Sequence, residues 1–217
     1  MKFRAAATIA LTLAIPGAHW AASPAAAAYQ SAGDWMIGPI VNGRNRSRGM
    51  PPHPTAGPRG SFHIDLPQAG GSVNYVTFPH GSLAGKRRIV MRYRVVTAPG
   101  VKIVPRTVPA AASMITLYFQ QRGDNWTARG PYETYRWYAS FATQSPITAG
   151  EHTIVAPLNA NWTAIMTSTA RTQPEAFREA LANADQVGFV LGGGDGLGHG
   201  VYATGPARLI VTSFRVE

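Results

Sequence analysis

Downstream of Gly60, apolar and polar residues alternate in short runs bounded by Gly and Pro. Side chains at i and i+2 of a strand share a face, so such alternation marks half-buried strands. The pattern predicts strands at Ser61–Leu66, Val73–Phe78, Arg88–Val96, Met114–Gln120, Thr134–Phe141, His152–Ala156, Val187–Leu191 and Arg208–Val216, with a weaker ninth at Val101–Val104. One helix interrupts them. Thr172 can cap it, Pro174 pre-sets an early helical φ, and Ala176, Phe177, Ala180, Leu181 and Ala184 fall on one face. A single helix among eight or nine strands, without βαβ alternation, argues against a parallel α/β sheet. The expected fold class is all-β, a two-sheet antiparallel sandwich over residues 61–217 with one short helix near the C-terminus.

The segment from Ser31 to Gly60 is rich in Gly, Pro and Arg and reads as an extended arm, part of an arm expected over residues 28–60. Trp35, Met36, Ile37 and Ile40 can form a short first strand that anchors it. Ahead of the arm, Lys2 and Arg4 precede an uncharged run from Ala5 to Ala18, too short to span a bilayer. Small residues at Ala25 and Ala27 fit a signal-peptidase site, so residues 1–27 read as a signal peptide and the product as periplasmic or extracellular. No later run is long enough for membrane insertion, and no cysteine is present to carry a lipid.

Charge narrows the partners. Removing Lys2 and Arg4 from 20 basic residues leaves 18 against 10 acidic ones, a net of +8, and only Lys86 and Lys102 of the 18 are lysine. Arginine's planar fork suits carboxylate, sulfate and phosphate, which makes an anionic polysaccharide a natural partner. An Ala- and Arg-rich coding bias would give the same composition. Nucleic acid is not expected, because there is no dense basic run. The absence of cysteine excludes thiol chemistry and thiolate metal sites.

Three strands carry the candidate chemistry. Ile89, Met91, Tyr93 and Val95 face away from Arg88, Val90, Arg92 and Arg94; Ile115, Leu117 and Phe119 away from Met114, Thr116, Tyr118 and Gln120; Tyr135, Trp137, Ala139 and Phe141 away from Thr134, Arg136, Tyr138 and Ser140. If these strands pair in sequence order, the first set builds the core. The second set then exposes a floor of Arg88, Arg92, Arg94, Tyr118, Gln120, Arg136 and Tyr138. Sugar hydroxyls take planar donors and acceptors, and pyranose C–H faces lie on aromatic rings. An ordinary solvated sheet face would look the same. The loop Gln121–Glu133 adds Trp126 and Tyr132, as ligand platforms or as lids on the core. The glycine-rich loop Gly192–Tyr202 adds Asp195 and His199; its glycines suit a bound ion or a close crossing of two chains.

Hydrolysis has no positive support: no two acids lie two residues apart on a strand face, and neither G-x-S-x-G nor H-E-x-x-H occurs. Lyase chemistry asks for a Tyr or His base with an Arg or Gln beside a uronate, types that Tyr118, Tyr138, Arg92, Arg136 and Gln120 supply. Many Arg- and Tyr-rich sheets supply them too, so the sequence leans against catalysis without deciding it.

The C-terminal third, with its helix, Val187–Gly193, the loop ending Gly198-His199-Gly200-Val201-Tyr202 and the strand Arg208–Val216, resembles the end of a jelly-roll carbohydrate-binding module of the galactose-binding-like kind. Tyr135-Arg136-Trp137 is similar to the central strand of such domains. The resemblance implies a jelly-roll sandwich gripping a glycan on a sheet face or loop rim, often with a structural calcium ion. The last strand, Leu209-Ile210-Val211-Thr212-Ser213-Phe214, has no acid to hold calcium, so no cofactor is expected. The functional expectation is an exported glycan-binding protein, its polysaccharide more readily anionic than neutral. Its candidate residues are Arg92, Arg94, Tyr118, Gln120, Trp126, Tyr132, Arg136, Tyr138, Asp195 and His199. A small polysaccharide lyase on the same face and a structural envelope protein that binds another protein are the alternatives.

Overall fold

The computed structural model describes residues 30–217, and the leader expected over residues 1–27 lies outside them. In chain order the strands are β1 (Met36–Gly38), β2 (Ile40–Val41), β3 (Arg44–Asn45), β4 (Thr55–Ala56), β5 (Phe62–Asp65), β6 (Tyr75–Pro79), β7 (Arg88–Thr97) and β8 (Ile103–Pro105). They continue with β9 (Met114–Gln121), β10 (Arg136–Tyr138), β11 (Ser145–Pro146), β12 (Gly150–Pro157), β13 (Thr163–Ala164), β14 (Ala184–Gly192), β15 (Val201–Ala203) and β16 (Ala207–Val216). The helix α1 spans Pro174–Ala182, with Pro174 in its first turn and Phe177 and Ala180 buried. The chain is all-β, as its alternation predicts, and among the described residues no helix is long and apolar enough to cross a membrane.

Two antiparallel sheets carry the architecture. The larger runs β1-β6-β14-β9-β10-β13, with β11 also on β9; the smaller runs β12-β7-β16-β5-β4. Their inner faces meet in one apolar core, where Ile89, Met91, Tyr93 and Val95 of β7 oppose Ile115, Leu117 and Phe119 of β9 and Val187, Phe189 and Leu191 of β14. Each such side chain contributes about 1.5–3 kcal/mol by leaving water. Tyr93 also ties the sheets with a polar bond: its hydroxyl donates to Ser145 Oγ at 2.7 Å, and burial pushes its pKa up to about 12.

The segment expected to be an arm is stitched into both sheets. β1 pairs with β6 and β4 with β5. Trp35, fully buried, packs on Phe62 and Phe214 of the smaller sheet and on Phe78 of the larger, at centroid distances of 4.8, 5.0 and 4.6 Å. The strand expected over Thr134–Phe141 is cut to three residues by 3-10 turns at Gly130–Thr134 and Phe141–Thr143. In consequence Phe141, expected in the core, is exposed.

The expected pairing in sequence order holds for β9 with β10, where Arg136, Trp137 and Tyr138 oppose Gln120, Phe119 and Tyr118. It fails for β7, which lies in the other sheet between β12 and β16. The outer residues of β7 therefore sit on the opposite side of the sandwich from those of β9 and β10.

Candidate functional site

The outer face of the larger sheet is not a solvated floor. Tyr75 of β6, Val190 of β14, Tyr118 of β9 and Tyr138 of β10 form a second buried cluster, packed over by Trp126, Ile165 and Leu197. The expectation that Tyr118, Gln120, Arg136 and Tyr138 are exposed is thus corrected: all four are buried. The physical reason is that loops fold back over this sheet, so its central strands are covered on both faces. β9 reads as alternating because its outer face is aromatic and amide-rich, a composition that serves a polar interior as well as a surface.

The cluster is tied by a chain of hydrogen bonds. Tyr75 and Tyr138 share a hydroxyl–hydroxyl bond of 2.7 Å, Tyr118 donates to Gln120 Oε1 at 2.9 Å, and Gln120 Nε2 donates to Asp124 Oδ2 at 3.1 Å. Asp124 ion-pairs with Arg136, Nε to Oδ2 at 2.9 Å, with side-chain exposures of 0% and 6%. A buried charge survives only when paired, and here each neutralises the other. Burial pushes the Asp124 carboxyl above the ordinary range, while Arg136 and the backbone N–H groups of Trp126 and Asn125 pull it back. The Arg136 Nε contact is an ion pair without hydrogen-bond alignment, and among the described residues Nη2 has no hydrogen-bond partner either.

Trp126 closes this assembly from above. Its backbone lies in the left-handed region at φ 65°, where a bulky L-residue is strained, and its N–H is held by Asp124 Oδ1 at 3.1 Å. The ring meets Tyr75 edge-on at 5.4 Å and lies 4.8 Å from the Arg136 guanidinium carbon. Beside it opens a pocket of ≈ 140 Å³ whose walls include Met36, Ile40, Tyr75, Gln120, Trp126 and Gln186. That is room for about four or five waters, or one ring-sized group. Among the described residues no charged side chain lines it, and Gln186 Oε1 is a buried acceptor without a partner.

Of the ten expected residues, the structure brings together Tyr118, Gln120, Trp126, Arg136 and Tyr138. Tyr132 sits in the 3-10 turn that precedes β10, packed edge-on against Tyr135 at 5.0 Å. Arg92 and Arg94 are exposed on the other sheet. Asp195 and His199 are exposed on the glycine-rich loop, whose glycines let two backbones cross: a Cβ at Gly198 would stand 2.6 Å from the Tyr75 ring, and one at Gly193 would strike the Ala112 carbonyl oxygen. Sequence reasoning missed Tyr75, Asp124 and Gln186. Their positions at alternate strand sites or a loop apex carry a polar signal, but only the neighbour relation β6-β14-β9 joins them.

The phenols of Tyr118 and Tyr138 are pushed well above 10, first by burial and then by the neighbouring tyrosines. A lyase base needs a phenol that loses its proton near neutral pH, and burial moves these the opposite way. Among the described residues no three His, Asp or Glu side chains are grouped so as to hold a metal ion. Compared with protein-family models and with curated proteins, the chain matches none.

Proposed function

We propose that the protein is an exported, carbohydrate-binding-module-like sandwich that binds a glycan through the pocket beside Trp126. The observation that supports this reading most is the constrained indole. Trp126 is held in a strained backbone conformation by Asp124 while its ring stands half-buried in the wall of an open pocket that also has two amide side chains. Strain of this kind costs about 1–3 kcal/mol and persists where the surroundings over-determine it, commonly at ligand sites. A sugar ring would lie against Trp126, Met36 and Ile40, with the Gln120 and Gln186 side chains in the pocket wall. The uncharged lining suits a neutral ring, so the expected acidic polymer has no counterpart in this pocket.

Affinity electrophoresis in gels containing β-glucan, xylan, pectin or alginate tests the reading. Retardation by at least one polymer, reduced tenfold or more in Trp126→Ala with the thermal midpoint little changed, is the expected result. Equal mobility of both proteins in every gel overturns it.

A further inference from the structure

Arg92 and Arg94, displaced from the site just described, belong to a different feature. The outer face of the smaller sheet is a trough. Two depressions of ≈ 600 and ≈ 690 Å³ share Arg94, Arg208 and Ile210 in their walls and so run into one another. The first is closed at one side by the turn carrying Arg59 and by His63 of β5. Strand register explains the grouping: Ile210 of β16 lies between Arg94 of β7 and His63 of β5, one row across the sheet. Arg92 continues the same face of β7 two residues on, about 7 Å away.

The charges are unevenly matched. Arg208 is held by Asp65 in a bidentate pair of 2.6 and 3.0 Å, and Arg94 lies 3.6 Å from Glu151. Arg59 and Arg92 make no ion pair among the described residues. Four guanidiniums against two carboxylates leave a net of +2 along the trough. The floor between them is apolar, with Ile210 half-buried and Val96 46% exposed. Guanidinium forks match carboxylate and sulfate bidentately, and an apolar strip suits the C–H faces of a sugar chain. Among the described residues no exposed Trp, Tyr or Phe lines the trough, whereas single-stranded nucleic acid is held on stacked aromatics.

We infer that this trough is a second binding site, for an extended acidic polysaccharide, with Arg59, Arg92 and Arg94 receiving its carboxylate or sulfate groups. It stands apart from the Trp126 pocket because the two lie on opposite sheets, so each can fail alone. The test measures binding of the full-length chain to polygalacturonate and to an uncharged glycan retained by the wild type, at low and moderate salt. Arg59→Gln/Arg94→Gln removes two exposed guanidiniums, and Ile210→Glu independently puts an opposing charge on the floor.

Both variants are expected to lose tenfold or more in polygalacturonate affinity and to keep neutral-glycan binding, while Trp126→Ala does the reverse. Polygalacturonate binding is also expected to weaken as salt rises. The proposal is overturned if the arginine variant binds polygalacturonate as the wild type does, or if Trp126→Ala abolishes that binding. It is overturned equally if polyglutamate or single-stranded DNA of matched charge displaces the polysaccharide as well as the polysaccharide itself does.

Discussion

Asp124→Asn removes the charge of the buried pair and the acceptor for Gln120 Nε2, while asparagine keeps the shape and can still accept the Trp126 N–H through Oδ1. In the native protein the pair is 2.9 Å apart and almost wholly out of water. Two unit charges near 4 Å interact by about 4 kcal/mol at an effective dielectric constant of 20. Removing one partner of a buried pair costs about 3–5 kcal/mol, much of it the desolvation of the charge left behind. For a domain of this size each kcal/mol moves the thermal midpoint by about 2–4 °C, so Asp124→Asn should lower it by about 6–20 °C. Arg136→Met should cost a similar amount by orphaning Asp124. The double variant Asp124→Asn/Arg136→Met leaves no buried charge and should recover about 2–3 kcal/mol relative to the sum of the singles. Urea unfolding followed by near-ultraviolet dichroism measures all of these. Single variants that each cost under about 1 kcal/mol, or a strictly additive double, would show that the pair is solvated.

Alkaline pH should destabilise the fold through its buried phenols. Tyr93 has a folded pKa of about 12, so its contribution is fully present below the ordinary tyrosine value near 10 and is lost as pH rises from there toward 12, amounting to about 3 kcal/mol. Tyr93→Phe should flatten that decline while costing about 1 kcal/mol at neutral pH, and a native protein whose tyrosines all titrate near 10 would contradict this. Acid should act through the Asp65 pair. Arg208 holds Asp65 below its ordinary value, so its stabilisation is present above about 3.8 and is lost as pH falls through the folded pKa. Asp65→Asn should blunt that acid loss. Trp35→Ala should cost about 3–5 kcal/mol by emptying the contact between the two sheets, and a loss under 1 kcal/mol in urea melts would show that the N-terminal segment is dispensable. Gly198→Ala should destabilise by 2 kcal/mol or more, since φ is +71° and a Cβ would meet the Tyr75 ring at 2.6 Å; unchanged stability would mean that the loop does not press on Tyr75.

The two sites differ in how they arise. The Trp126 pocket depends on a folded-back loop held by one carboxylate, so small changes at Asp124 should propagate to it. The trough depends on strand register and on the turn that carries Arg59, and its arginines are exposed at sites where substitution leaves the core untouched. That contrast is why variants on the two sheets can be read independently.

Alternation by itself determined the class of fold and the positions of the main strands, because a period of two is a local property of the chain and needs no knowledge of neighbours. It also determined which side of β7 and of β9 meets the core: Ile89, Met91, Tyr93 and Val95 are in it, as are Ile115, Leu117 and Phe119. The helix with Pro174 at its start and Phe177 and Ala180 inward was legible for the same reason. Only the tertiary structure decided what the other face of each strand meets. Tyr118 and Arg92 occupy equivalent positions in sequence pattern, yet one is sealed beneath Trp126 and the other stands in solvent on the opposite sheet. Strand order is set by contacts between residues far apart in the chain, and the loop that buries Arg136 does so through a carboxylate whose partner no local pattern names. Period fixes which side a residue takes on its own strand, while long-range pairing fixes which surface, if any, that side becomes.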